Sequence, residues 1–197
     1  MAEQRLHRDP PSVATPGGSD FDLNPGMEEE AGQTAKRPAA VLVPVVAREE
    51  LSVLLTLRTA HLSSHAGQIA FPGGKLDQGE AVLETALREA QEEIGLAAQF
   101  VEPIGYLDWY RTRSGYVVCP ILAIVRPGFQ ISRNPGEVED VFEVPLAFML
   151  DKANISKHVH RGSGTPRSYY ALSYRERFIW GATAGMIKNL ADRMGRE

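Results

Sequence analysis

The chain has 197 residues, one cysteine and a formal net charge of −4. That length suits one domain with a sizeable core and a short appendage, and the charge gives no overall reason to expect nucleic acid or an anionic membrane as a partner. The lone Cys119 excludes an intrachain disulfide framework and a tetrathiolate metal site, no apolar run reaches the roughly 18–20 residues of a membrane span, and no basic-then-apolar secretory pattern opens the chain, so the expected location is cytoplasmic.

Residues 1–36 differ from the rest. Pro10, Pro11, Pro16, Gly17, Gly18, Pro25 and Gly26 lead into the acidic run Glu28-Glu29-Glu30. Such a stretch buries little apolar surface and is expected to be a mobile or draped extension, with the folded domain spanning 37–197. Ala39 to Val46 and Ser52 to Thr56 read as strands joined by a turn at Arg48-Glu49-Glu50. Gln68 to Phe71 is a short apolar run stopped by Pro72-Gly73-Gly74. A helix is expected from Glu80 to Ile94, capped by Asp77 or Gly79 and terminated by Gly95. Val101 to Tyr106 and Tyr116 to Val125 read as strands, the second kinked or at an edge because of Pro120. After a polar loop at Asn134 to Glu139, a strand at Val141 to Val144 runs into a short helix at Pro145 to Leu150. Tyr169 to Tyr174 reads as a strand. Gly181 to Met194 reads as a helix with Ala184, Ile187, Leu190, Ala191 and Met194 on one stripe. Strands with interspersed helices predict an α/β fold, a mixed β-sheet sandwiched by helices.

The helix over Glu80 to Ile94 carries the chemistry. At 100° per residue Leu83, Ala86, Leu87, Ala90 and Ile94 share its core face. Glu89, Glu92 and Glu93 share a neighbouring arc, where each like-charge pair costs roughly 0.2–0.5 kcal/mol. Two of the three stand in the last turn, where the helix dipole also disfavours negative charge. A hard divalent cation reverses that penalty, because magnesium takes carboxylate oxygens and bridges to substrate phosphates. The bland alternative is a solvated face with Glu84 paired to Arg88.

The flanking pattern decides between them. From Gly74 through Glu80, Arg88, Glu89, Ala90, Glu92, Glu93, Gly95 and Leu96 the segment resembles a complete Nudix box. Just upstream, Leu54-Leu55-Thr56-Leu57-Arg58, Gly67 and Phe71-Pro72-Gly73-Gly74 resemble the coenzyme A pyrophosphatase branch of that family. Asn134 to Val138, Phe142 to Leu146 and Trp180-Gly181-Ala182-Thr183 are similar to the same branch. The chain departs from the pattern at Thr59, where serine or alanine is preferred, and at Ser63, where the branch has arginine.

The resemblance implies a Nudix-like α/β/α sandwich with a loop-helix-loop catalytic motif. It implies metal-dependent hydrolysis of a pyrophosphate bond, and for coenzyme A or its thioesters the products 3′,5′-ADP and 4′-phosphopantetheine. Carried over from the family, Glu89 and Glu93 hold Mg2+ or Mn2+. Glu92 shares a metal or acts as base, and Arg88 orients the row by ion pairing. Glu80 holds the loop or an outer metal, and a later loop supplies another carboxylate, Glu137 first and Glu139 in reserve. Arg58, Gly73 and Gly74 bind substrate. The implied partner is a small nucleotide of the coenzyme A type, and a homodimer is consistent with the family.

Two other readings stay open. One is a Nudix pyrophosphatase acting on ADP-ribose, NADH or another nucleotide. The other is a non-catalytic Nudix-fold binding domain, against which the full set of glutamates speaks. Weaker signals are the histidine pairs His61/His65 and His158/His160, which have zinc-ligand spacings. Tyr106, Trp109, Tyr110, Arg111, Arg113 and Tyr116 bunch around one loop, suited to stacking on adenine or to phosphate binding, or to ordinary burial. Gly181 and Gly185 form a potential close-packing face.

Overall fold

A computed structural model describes residues 6–14, 16–27, 37–62, 65–161 and 165–195. The acidic run Glu28-Glu29-Glu30 and Ser63 lie outside the described residues. The strands are β1 (Gly18–Ser19), β2 (Arg37–Val46), β3 (Ser52–Arg58), β4 (Ile69–Ala70), β5 (Gly73–Lys75), β6 (Val101–Tyr106), β7 (Tyr110–Arg111), β8 (Tyr116–Val125), β9 (Val138–Pro145), β10 (Ser156–His160), β11 (Arg167–Tyr174) and β12 (Arg177–Trp180). The α-helices are α1 (Val82–Ile94), α2 (Leu146–Leu150) and α3 (Ala182–Met194).

β1 to β9 make one mixed sheet. β2 lies parallel to β8 and antiparallel to β3, and β9 runs antiparallel along the whole of β3. β4 pairs with the far end of β3 and β5 with β2, so the short strands fill the gap where β2 and β3 part. The strand pleat sends alternate side chains to opposite faces. On β2, Ala40, Leu42 and Val46 join a core with Ala86, Ala90 and Ile94 of α1. Ala39, Val43 and Val45 face the other way, into a core with Ala184, Ile187 and Leu190 of α3. β10 to β12 form a second, antiparallel sheet on the α3 side, whose Leu172 and Ile179 enter that same core. The architecture is an α/β/α sandwich around a mixed sheet, as expected. Among the described residues no helix is long and apolar enough to cross a membrane.

Several local expectations shift. Pro120 is not at an edge: β8 is flanked by β2 on one side and by β6 and β7 on the other. Its carbonyl accepts from Leu107 N, in the stretch between β6 and β7. The absent N–H points to the same side, where no ladder bond is required of it. β9 begins at Val138, so the polar loop is shorter than expected. It meets β3 through a register shift between Leu57 and Arg58. β10 and β12 were not expected as strands.

Residues 6–14 and 16–27 lie across the domain. Leu6 and Phe21 are buried, the Trp109 indole donates to Pro11 O at 2.7 Å, and the Tyr110 hydroxyl donates to Asp20 Oδ1 at 3.0 Å. Arg111 sits over the Phe21 ring and Arg37 over Tyr116. The aromatic group around residues 106–116 is thus occupied by the chain's own N-terminal segment rather than open to a ligand base. Gly185 does serve close packing: a Cβ there would meet the Tyr110 ring, whereas Gly181 faces open space.

Candidate functional site

α1 starts at Val82, two residues later than the periodicity predicts, with Ala81 at the N-cap and not Asp77 or Gly79. Glu84 reaches back to the Ala81 N–H at 3.0 Å, so it is not the partner of Arg88. Glu80 stays outside the helix as a latch, accepting from Asp77 N at 3.1 Å and from the Thr85 hydroxyl at 2.7 Å. Thr85 is fully buried, and no helical spacing would have paired it with Glu80. At the other end Gly95 adopts φ 71°, a left-handed conformation that costs glycine least. Leu96 N closes the cap on Ala90 O.

The core face of α1 is rotated from the expected one. Leu83 and Leu87 are only half-buried, while Thr85 and Glu93 are buried beside Ala86, Ala90 and Ile94. The three glutamates consequently occupy different environments: the Glu93 side chain is 3% exposed, Glu89 17% and Glu92 55%.

Arg88 ties the outer part together. Its Nε and Nη2 donate to the two oxygens of Glu80 at 2.8 and 3.0 Å, a two-toothed geometry of the strong kind. Nη1 donates to Glu89 Oε1 at 2.9 Å and to Glu92 Oε2 at 3.1 Å. The Arg88 hydrogen bond, seconded by Thr85, holds the Glu80 carboxyl down at about 2. Glu92 therefore belongs to the exposed, Arg88-bound side and not to the buried centre.

The centre is Glu93. Gly73 N donates to its Oε2 at 3.2 Å, and Arg58 Nη1 to its Oε1 at 3.4 Å. Burial pushes this carboxyl up to about 7 against the help of Gly73 and Arg58, and the charges of Glu89 and Glu137 push the same way. Burial likewise raises Glu89 despite its bond to Arg88, with Glu92 and Glu137 adding to the rise. Gly74 is needed for close approach, because a Cβ there would run into the Glu89 carboxylate.

Glu137 reaches the centre through a loop held at both ends. Asn134 N donates to Glu93 O at 2.8 Å, and Thr59 N donates to Glu137 O at 3.0 Å. Thr59 is buried and its hydroxyl also turns to Gly136 O, so the departure at this position serves the loop. Glu139 is exposed, next to the register shift between β3 and β9.

Among the described residues no group of three or more His, Cys, Asp or Glu side chains is already converged on a point that would hold an ion. His65 bonds to Gln68, and His158 bonds to Ser156 and stacks on Tyr169, so neither histidine pair forms a zinc cage. The donor chemistry of the centre nevertheless fits a hard dication. Glu89, Glu93 and Glu137 are mutually repelling carboxylates in a partly dry setting, offset only by Arg88 on the outer side of Glu89 and by the more distant Arg58 at Glu93. That is the setting in which a bound cation is the largest local charge and relieves the repulsion.

Known proteins show the family. The model of the NUDIX domain matches residues 36–161. The uncharacterized Nudix hydrolase NudL of Yersinia enterocolitica is 42% identical over 161 residues, covering 79% of this chain and 80% of that one. Its counterpart in Photorhabdus laumondii is 40% identical over 159 residues, covering 80% and 85%. Among solved structures, a MutT/nudix family protein of Enterococcus faecalis superposes with a TM-score of 0.50 at 17% identity, over 79% of this chain and 60% of that one. A Deinococcus radiodurans protein does so with 0.50 at 14%, over 81% and 83%. At such identities the structures speak for the fold alone, whereas the domain match spans α1 and its flanks. The chain belongs to the Nudix family and is a Nudix-type pyrophosphatase, a hydrolase of phosphoanhydride bonds in nucleotide derivatives.

Proposed function

We propose that the substrate is coenzyme A or one of its thioesters, cut at the pyrophosphate to 3′,5′-ADP and 4′-phosphopantetheine. The observation that carries this reading is the place of the Leu54 to Gly74 segment. Two residues of the stretch resembling the coenzyme A branch face Glu93, Arg58 through Nη1 at 3.4 Å and Gly73 through N at 3.2 Å.

In this reading Glu89 and Glu93 hold Mg2+ or Mn2+, with Glu92 at the solvent side of the same site. Held there, such a cation would neutralise phosphate charge and acidify a water. Glu137 stands beside Glu89 and Glu93 on the loop tied to the end of α1 and suits proton removal from the attacking water. Glu92 suits it less, being exposed and bound to Arg88. Arg88 keeps Glu80 and Glu89 in place, while Arg58 and the backbone of Gly73 and Gly74 meet the phosphates. Donors aimed at charge that builds in the transition state usually give the largest catalytic term.

The test is a panel of coenzyme A, its thioesters, ADP-ribose and NADH with Mg2+ or Mn2+, read by product identity. Formation of 3′,5′-ADP and 4′-phosphopantetheine is expected. Brisk turnover of ADP-ribose or NADH with none of coenzyme A would transfer the assignment to another Nudix substrate. A chain that binds nucleotides without turnover would be a binding domain. Gel filtration with light scattering tests the homodimer, also a proposal here.

A further inference from the structure

The site contains two arginines of opposite quality. Arg88 grips Glu80 with two short bonds. Arg58 meets Glu93 through one nitrogen at 3.4 Å, well beyond the usual 2.7–2.9 Å of a charge-assisted bond. Its Nε is buried without a hydrogen-bond partner. A buried donor left unpaired is costly, and Arg58 Nε stays unpaired although Thr59 and Gln68 hold the backbone around it firmly. Glu93 in turn has both oxygens engaged, one by Arg58 and one by Gly73 N. A dication arriving at Glu93 meets the oxygen that Arg58 faces and is repelled by the guanidinium beside it.

We propose that Arg58 is a resident counter-cation that makes metal binding and pyrophosphate binding depend on each other. In the free protein its guanidinium balances Glu93 and opposes a divalent ion. When a pyrophosphate enters, Arg58 turns its under-used donors to the phosphate oxygens, and Glu93 is released to the metal. The substrate anion thereby completes its own metal site, and the free enzyme holds metal weakly. The inference rests on the reading of Glu89 and Glu93 as metal ligands.

The experiment is a Mn2+ titration of the full chain. Free Mn2+ is read by electron paramagnetic resonance, with and without imidodiphosphate, and corrected with protein-free titrations of the same anion. Wild type should bind Mn2+ about tenfold more tightly when the anion is present, within the usual range of coupling between sites. Arg58→Met should bind Mn2+ about tenfold more tightly than wild type without the anion and lose most of the gain with it. Arg58→Lys, which keeps the charge, should stay near wild type without the anion. Unchanged or weaker binding by Arg58→Met, or no coupling in wild type, overturns the proposal while leaving the metal ligands standing. If Arg58→Met does not fold, the wild-type coupling and Arg58→Lys still decide it. Should wild type bind no Mn2+, or Glu93→Gln bind it equally well, the ligand reading itself fails and the proposal with it.

Discussion

Replacing Glu93 by Gln tests the physics of the centre directly, since it removes a charge and keeps the shape. The Glu93 carboxyl is lifted from its ordinary 4.5 to about 7. At 1.36 kcal/mol per pH unit that gap corresponds to about 3 kcal/mol. The sign follows from proton binding. Between the two values the folded protein holds a proton that the unfolded chain has released. The associated stability is complete below about 4.5 and is lost as pH rises through about 7. Metal-free wild type should therefore weaken between pH 5 and pH 8. Glu93→Gln should match wild type at pH 5 and exceed it at pH 8 by up to about 3 kcal/mol, or about 6–12 °C in Tm for a chain of this size. Mg2+ should restore wild type, by about 2.7 kcal/mol at a hundred times its Kd, and leave the variant unmoved. Turnover should nearly vanish in the variant. The assay is urea denaturation in chelator and in Mg2+ at both pH values. A variant less stable than wild type at pH 8 in chelator, or one stabilised by Mg2+ as much as wild type, would refute the account of Glu93 as a strained carboxylate awaiting a cation.

Three further outcomes are expected. Gly74→Ala should displace the Glu89 carboxylate that a Cβ would strike, lowering turnover about 100-fold with the fold intact by circular dichroism; near-native turnover would mean that Glu89 is free to move. Arg88→Met should lower turnover about 10- to 100-fold, as loss of a residue orienting a metal site does, and NMR titration should find the Glu80 carboxyl returned towards its ordinary range; a Glu80 that still titrates near 2 would remove Arg88 as the cause. Phe21→Ala should cost about 3–5 kcal/mol in urea denaturation, the loss typical of a buried ring, because Phe21 is 2% exposed; a loss under about 1 kcal/mol would show that the N-terminal segment contributes little to the fold.

Local patterns were legible where the cause is local. β6 and β8 run over the expected residues, and α3 buries Ala184, Ile187, Leu190 and Ala191 as its stripe predicts. β10 was missed because it buries almost nothing, four of its five residues being exposed, and β12 because it carries rings outward: Phe178 and Trp180 remain about two-fifths exposed. Alternation with aromatics on the wet face does not register as a buried strand. The aromatic group at residues 106–116 was seen but not its use, since its cover comes from about 90 residues upstream.

The order of Gly74, Glu80, Arg88, Glu89, Glu92, Glu93 and Gly95 by itself determined the family and the helix that bears the site. Spacings of three and four place carboxylates side by side on any helix, and Gly95 ends that helix wherever it is packed. What only the tertiary structure decided is how unequal those carboxylates are. The rotation of α1 against β2 and β5 sinks Glu93 under Gly73 and Arg58 and leaves Glu92 in water. Burial, unlike spacing, depends on the neighbours that long-range packing brings. The same packing delivers Arg58 to Glu93 from 35 residues away and Glu137 to both glutamates, so the charge balance of the site is a property of the fold.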